Sequence, residues 1–322
     1  MAARSPELLR YLWARSASRS LQGRPGRWRP GEESIRELGG WVASWVEPPA
    51  LSVCIVSRDR LDLLGPCVAS LARTSYGRAV EVVIGDTGSS PATREFYAAI
   101  GVRAIDVPGP FNYSRACNEL ARAARADRLV FLNNDTEAIS IDWLDRLLGT
   151  PRTELAGAIL VYPSTWRVQH AGVEVQPAGG WLRPNSYRPP RAHRSEFALA
   201  HIGVGRRVDR SEICGAASVM AVTGALLCTS REQWVAAGGF DEAYETDLQD
   251  TDYCLRCRAL GFGVVCRHDV VFSHRHSGTR GRYAFPVGDW EIFEGRWRSE
   301  LSAWQKRGTR ALGRPGPGYG AA

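Results

Sequence analysis

From Leu51 onward, apolar β-branched runs alternate with stretches of helical period. Leu51–Ser57, Val80–Gly85, a short run near 103–107 and Arg128–Leu132 read as buried strands. Between them, Leu61–Arg73, residues 91–99 and a segment running to Arg125 carry apolar positions three and four apart. These read as helices, the last capped by Ser114. Strands alternating with helices imply a parallel sheet covered by helices on both faces. Ligands of such sheets bind beyond the carboxyl ends of the strands, where Asp86 and Asn133-Asn134-Asp135 stand.

The pattern then changes. Ala158–Tyr162, Val168–Val175 and Ser218–Thr229 are strand-like. The Pro-, Gly- and Arg-rich stretch 177–210 has little period and reads as a long loop or lid. Leu248–Leu260 reads as a helix, and Gly263–Cys266 and Val270–Ser273 as strands. Residues beyond 285 have weak pattern and read as a tail. At the other end, Leu8, Leu9, Leu12 and Trp13 recur at helical spacing, and a second short helix is expected to carry Trp41 and Trp45. The expected division is an N-terminal helical appendage over 1–48, one α/β domain over 49–285 and a C-terminal tail over 286–322.

Composition narrows the reading. At 322 residues and 44% hydrophobic, the chain can bury one sizeable core. Net charge is +7, but seven arginines against Glu7 within residues 1–30 carry six of those charges. The rest is close to neutral, which argues against a nucleic-acid-binding body. The basic, Trp-bearing appendage could meet anionic lipid as a peripheral membrane contact; it could equally be a helix packed on the domain beside a solvated basic loop. No apolar run is long enough for a membrane span, and the start lacks the apolar core of a secretory signal, so a cytoplasmic location is expected, at most peripheral at the inner membrane face. Eight scattered cysteines, several inside apolar runs, fit reduced buried thiols. Cys254 and Cys257 have no second pair at zinc spacing and read as ordinary thiols on one helix.

Several segments carry chemistry. Phe131-Leu132-Asn133-Asn134-Asp135-Thr136-Glu137 delivers amides and a carboxylate from a buried strand to solvent. A carboxylate there can share a divalent cation with phosphate oxygens, although strand ends also carry Asn and Asp simply to make turns. Asp86 ends the second strand, where it could accept from a nucleobase or ribose. Gly238-Gly239-Phe240-Asp241-Glu242 precedes Gln249-Asp250-Thr251-Asp252 at a helix start; acids there also favour the helix dipole. His274 and His276 follow a strand.

Taken in order, these segments resemble glycosyltransferase family 2, over roughly residues 51–280. Val82–Ser89 is similar to the family's strand ending in a base-contacting aspartate. Phe111-Asn112-Tyr113-Ser114 through Asn118, Leu132–Glu137, Val168-Gln169-His170-Ala171-Gly172-Val173, Val222-Thr223-Gly224-Ala225 and the block from Gly238 to Arg256 resemble a branch rich in rhamnosyl and polysaccharide-biosynthesis transferases. The resemblance implies a GT-A nucleotide-diphospho-sugar transferase fold with a mostly parallel central sheet. It implies an inverting transfer from a nucleotide-sugar donor to a saccharide, lipid-linked or other hydroxyl acceptor, with Mg2+ or Mn2+. By the same resemblance Asp250 is the general base, Asp135 and His274 hold the metal with His276 as the competing choice, and Asp86, Asn118, Asn133 and Asp135 meet the nucleotide sugar. Gly224 and Asp252 stand on the acceptor side. The chain departs from the pattern at Ser57-Arg58-Asp59, at Cys117, at Asn133 and at Gln249. A sugar nucleotidyltransferase would share the sheet and the metal, and an inactive binding homologue would share the pocket; product analysis and turnover separate them.

Overall fold

The computed structural model describes residues 30–178, 195–208, 215–275 and 287–307, with the backbone of 186–187. The expected N-terminal helix over residues 8–13, Trp181, His193, His276 and the last fifteen residues lie outside these stretches.

The first half follows its hydrophobic pattern. Strand β1 (Leu51–Ser57), helix α2 (Leu61–Ser75), β2 (Val80–Asp86), α3 (Pro91–Ile100), β3 (Arg103–Asp106), α4 (Tyr113–Ala123) and β4 (Arg128–Asn133) succeed one another after a first helix, α1 (Glu32–Ala43). β4, β1, β2 and β3 lie side by side and parallel. Alternate side chains serve opposite faces. Leu51, Val53 and Ile55 pack with Val80, Val82, Ile84, Val130 and Leu132 under α1 to α3. Cys54, Val83, Leu129 and Phe131 pack on the other face, with Leu120 of α4. The cap of α4 is Asn112, whose side chain accepts from Arg115 N at 2.8 Å, not Ser114.

α1 belongs to this body. Trp41 is fully buried and meets Trp45 edge-on at 5.3 Å. Trp41 is therefore spent on packing and is not available to a lipid surface.

The second half completes the sheet. β5 (Thr136–Ala138), α5 (Trp143–Leu148), β6 (Glu154–Val161), β7 (Val168–His170), β8 (Val173–Pro177), β9 (Ser186–Tyr187), β10 (Phe197–His201), β11 (Ala216–Ser218), β12 (Leu226–Ser230), α6 (Arg231–Ala236), α7 (Gln249–Ala259), β13 (Gly263–His274) and α8 (Val287–Arg307) follow in order. The large sheet runs β11-β13-β6-β12-β4-β1-β2-β3, with β12 antiparallel between β6 and β4 and β13 parallel to β6. β8, β10 and β9 form a small antiparallel sheet.

Four expectations are corrected. The run Val168–Val175 is broken by Gly172 at φ 114, which turns the chain from β7 into β8. Ser218–Thr229 is two strands, with residues 219–225 left as a loop that reaches the sheet's carboxyl edge. The expected lid contains a buried strand, Phe197–His201, every residue of which is buried. The expected tail contains α8, whose Trp290, Phe293, Trp297 and Leu301 are buried in the main core. Each such side chain contributes about 1.5–3 kcal/mol on burial, far more than a frayed tail gains.

Candidate active site

Register places the site. Ser57 of β1 pairs with Asp86 of β2, and Val56 with Asn133 of β4, so Asp86 and Asn133 end their strands at one edge. β12 runs antiparallel to β4, so the loop entering it lies at that same edge, and Asn133 N donates to Ala225 O at 3.1 Å. β5 pairs antiparallel with β13, setting His274 opposite Thr136 and beside Asp135.

His274 Nε2 lies 3.2 Å from Asp135 Oδ1 and 3.4 Å from Asn133 Nδ2, with Asp135 and His274 both buried. Tyr113 Oη, at the start of α4, is shared between Asn133 Oδ1 at 3.2 Å and Gly224 O at 3.3 Å. Gly224 N donates to Asp250 Oδ2 at 2.6 Å. A continuous polar line thus runs from Asp135 through His274, Asn133, Tyr113 and Gly224 to Asp250. The residues expected for metal and for general base come together at one end of the sheet.

Asp250 stands in the first turn of α7 and opens onto a cleft lined by Val173, His201, Thr223, Asp247, Gln249 and Thr251. Burial raises its carboxyl above the ordinary aspartate value, partly offset by the N–H groups of Gly224 and Thr251. A carboxylate so raised is a better proton acceptor. The chain enters α7 through Leu248 at φ 67, a left-handed conformation that costs a bulky residue strain. Asp289 of α8 braces that entry: its buried carboxylate accepts from Glu245 N, Thr246 N and Asp247 N at 2.7, 3.0 and 2.9 Å.

Two expected site residues make their bonds within the protein. Asp252 does not face the acceptor cleft. Its carboxylate is wholly buried and accepts from Tyr244 Oη, Arg256 Nε, Arg296 Nη1 and Trp297 Nε1 at 2.7–3.1 Å, so it ties α7 to α8. Asn118 is likewise engaged within the protein. Its amide donates to Phe240 O and Glu242 Oε1 and accepts from Phe240 N, fastening the Gly238–Glu242 loop to α4. The approach is so close that a Cβ at Gly239, itself at φ 69, would stand 2.6 Å from Asn118 Oδ1.

Asp86 stands where expected, but its carboxylate is engaged. Oδ1 accepts from Gly88 N and Ser89 N, and Oδ2 meets Arg94 Nε at 3.0 Å. Asp59 fastens the Ser57-Arg58-Asp59 turn to the same place by accepting from Ser90 N and Thr93 Oγ1. Cys254 and Cys257 are buried free thiols on α7, pushed up by desolvation.

Residues 52–196 match the family model described as glycosyl transferase family 2. These residues form a glycosyl transferase family 2 domain. The matched stretch holds Asp86, Asn133 and Asp135, whereas Gly224, Asp250 and His274 lie beyond it and join the site through the fold. The chain is similar to the protein y4gI of Sinorhizobium fredii, 33% identical over 249 residues, and to the O-antigen biosynthesis protein RfbC of Myxococcus xanthus, 30% identical over 260. These matches cover 74% and 79% of this chain, but only 26% and 19% of those relatives, so the chain spans about a quarter or less of their length. Among solved structures, GalNAc-T7 with UDP, GalNAc and Mn2+ superposes with a TM-score of 0.57 at 15% identity, covering 79% of this chain and 50% of that one. The family 2 domain therefore has the GT-A fold.

Sequence pattern alone assigned no role to Tyr113, Gln169, His201 or Asp289. Tyr113 and Gln169 lie inside family-like motifs, but their partners are distant in the chain. Nothing local marks Asp289.

Proposed function

We propose that this chain is an inverting, metal-dependent glycosyltransferase that passes a hexosyl or deoxyhexosyl group from a nucleotide-sugar donor to an acceptor hydroxyl in the building of a bacterial polysaccharide or glycoconjugate. The observation that carries the reading is the polar line from the Asp135–His274 pair to the cleft carboxylate Asp250. Similarity to RfbC supports the polysaccharide setting. The fold shared with a protein solved with UDP and Mn2+ supports the donor and the metal.

The residues present fit a divalent cation. Two adjacent ligands of an octahedral ion with bonds of about 2.0–2.1 Å stand about 2.9 Å apart, close to the 3.2 Å between Asp135 and His274. Among the described residues no third His, Cys, Asp or Glu joins them. Such an ion normally completes its shell with substrate phosphates and water, and when bound it supplies charge neutralisation for a departing diphosphate.

The chain's own groups do the rest. Asp250 takes the proton of the acceptor hydroxyl as its oxygen attacks the anomeric carbon, whose bond to the diphosphate oxygen breaks; the attack from the opposite side inverts that carbon. Gly224 N and Thr251 N hold the Asp250 carboxylate in place. Asn133, aimed by Tyr113, is the polar group facing the nucleotide, and Asp86 with Arg94 shapes the turn that would cradle its base. The chain's long basic start is the candidate for peripheral contact with anionic lipid. Among the described residues no helix is long and apolar enough to cross a membrane.

The test is a panel of nucleotide sugars screened with Mn2+ for stabilisation against heat, since ligand binding raises apparent stability. The donor so found is then incubated with acceptors and the products are identified. Release of a nucleoside diphosphate supports the reading; release of pyrophosphate would make the chain a nucleotidyltransferase. Binding without turnover would make it an inactive homologue.

A further inference from the structure

Gln169, at the centre of β7, is buried with 1% of its surface exposed. Its side chain grips His274. Gln169 Nε2 donates to the His274 carbonyl oxygen at 3.1 Å, and Gln169 Oε1 lies 2.6 Å from His274 Nδ1. This double contact fixes the orientation of the amide. Only the NH2 group can donate to a carbonyl, so the amide oxygen must face the ring. An amide oxygen has no proton to give, so Nδ1 must carry one and donate it. A proton is thereby held on the ring nitrogen remote from Asp135, and Nε2 is the nitrogen that faces Asp135 and the Asn133 amide.

That is the tautomer a metal-ligating imidazole needs, and a hydrogen bond on the far nitrogen is the usual device that fixes it. From this geometry we infer that Gln169 is a positioning residue that holds His274 in its cation-binding tautomer and ring orientation. The inference rests on the metal reading given above. The same residue's carbonyl oxygen faces Nδ1 of His201, a residue lining the Asp250 cleft, at 3.3 Å.

Two measurements test it. Selective 15N-histidine labelling reads the tautomer of His274 directly, with His274→Ala supplying the assignment. For the neutral ring of the metal-free wild type the expected signature is a protonated Nδ1 and an unprotonated Nε2, shifting toward a protonated Nε2 in Gln169→Leu. Titration with Mn2+ alone, followed by the paramagnetic resonance signal of the free ion, reads affinity. Gln169→Leu should weaken Mn2+ binding about 10–100-fold. Gln169→Glu, which keeps an oxygen against Nδ1, should stay within about threefold of wild type. In a double-mutant cycle, Gln169→Leu should add little to His274→Ala, because it acts through that ring. Thermal melts confirm that each variant is folded, and the tautomer measurement on the wild type carries the test should Gln169→Leu fail to fold. Loss of Mn2+ binding in His274→Ala with wild-type binding in Gln169→Leu would overturn the inference and leave the metal reading standing. Unchanged Mn2+ binding in His274→Ala would overturn both, whereas a neutral wild-type His274 protonated at Nε2 in place of Nδ1 would overturn the inference alone.

Discussion

Asp250 and Asp252 are two residues apart in one helical turn, yet their surroundings assign them opposite work. Consider each changed to asparagine. At Asp250 the carboxylate accepts from Gly224 N on one oxygen and from Thr251 N on the other. Asparagine offers one oxygen, so one of these contacts is lost, at a cost of about 0.5–1.5 kcal/mol. Against this, burial raises the Asp250 carboxyl, so the folded state holds its charge unwillingly at neutral pH, and removing that charge is a gain. The two effects nearly cancel, and the melting temperature should move little. Turnover should fall roughly 10²–10⁴-fold, the usual contribution of a general base. At Asp252 the balance reverses. Breaking a buried pair by removing one partner costs about 3–5 kcal/mol; Arg256 and Arg296 retain some solvent, which brings the expected loss to about 2–3 kcal/mol. At about 1.5 °C per kcal/mol for a chain of 322 residues, that is a drop of roughly 3–5 °C. Its turnover, measured as nucleoside diphosphate released at matched folded fraction, should stay within a few-fold of wild type. A dead Asp252→Asn beside an active Asp250→Asn, at equal folded fraction, would refute the assignment.

Because the Asp250 carboxyl is raised, its basic form is lost as pH falls through that raised value; turnover should show an acid limb above the ordinary aspartate range, and the residual activity of Asp250→Asn should lack it. Asp135→Ala should abolish metal-dependent binding of nucleoside diphosphate while leaving the melt intact; equal wild-type binding with and without metal would discard the metal reading. Asp289→Ala leaves three loop N–H groups without their acceptor, so turnover should fall at least several-fold while Mn2+ affinity holds, since the loop carries Asp250 and not Asp135. The chain should bind anionic vesicles, less so at high salt, and lose that binding when residues 1–29 are removed. A cut at residue 45 would instead strip Trp41 from the core, so the shorter truncation is the informative one.

The parallel half of the sheet was legible because each strand is a local signal. Leu51–Ser57, Val80–Gly85 and Arg128–Leu132 are apolar on both faces, which only a strand covered on both sides requires. The ends of these runs therefore located Asp86, Asn133 and Asp135 at the edge where ligands bind. α8 was legible in principle: Trp290, Phe293, Trp297 and Leu301 recur at three, four and four residues. Its buried face, however, also carries Asp289 and Glu294, which dilute the stripe, and their partners in other elements could not be read. The partners of Asn118 and Asp252 could not be read for the same reason. A side chain's residue type says what it can bond, while the tertiary structure decides which bonds it has already made.

By itself, then, the sequence determined the strand–helix alternation, the carboxyl edge at which ligands meet the sheet, and the residue types available there. The convergence was decided only in three dimensions. β12 inserts antiparallel beside β4 and so turns Gly224 to the edge. β5 pairs with β13 and so sets His274 against Asp135. α8 braces the loop that presents Asp250. Each of these pairings joins residues tens of positions or more apart, and periodicity along a chain records the burial of an element without recording its neighbour.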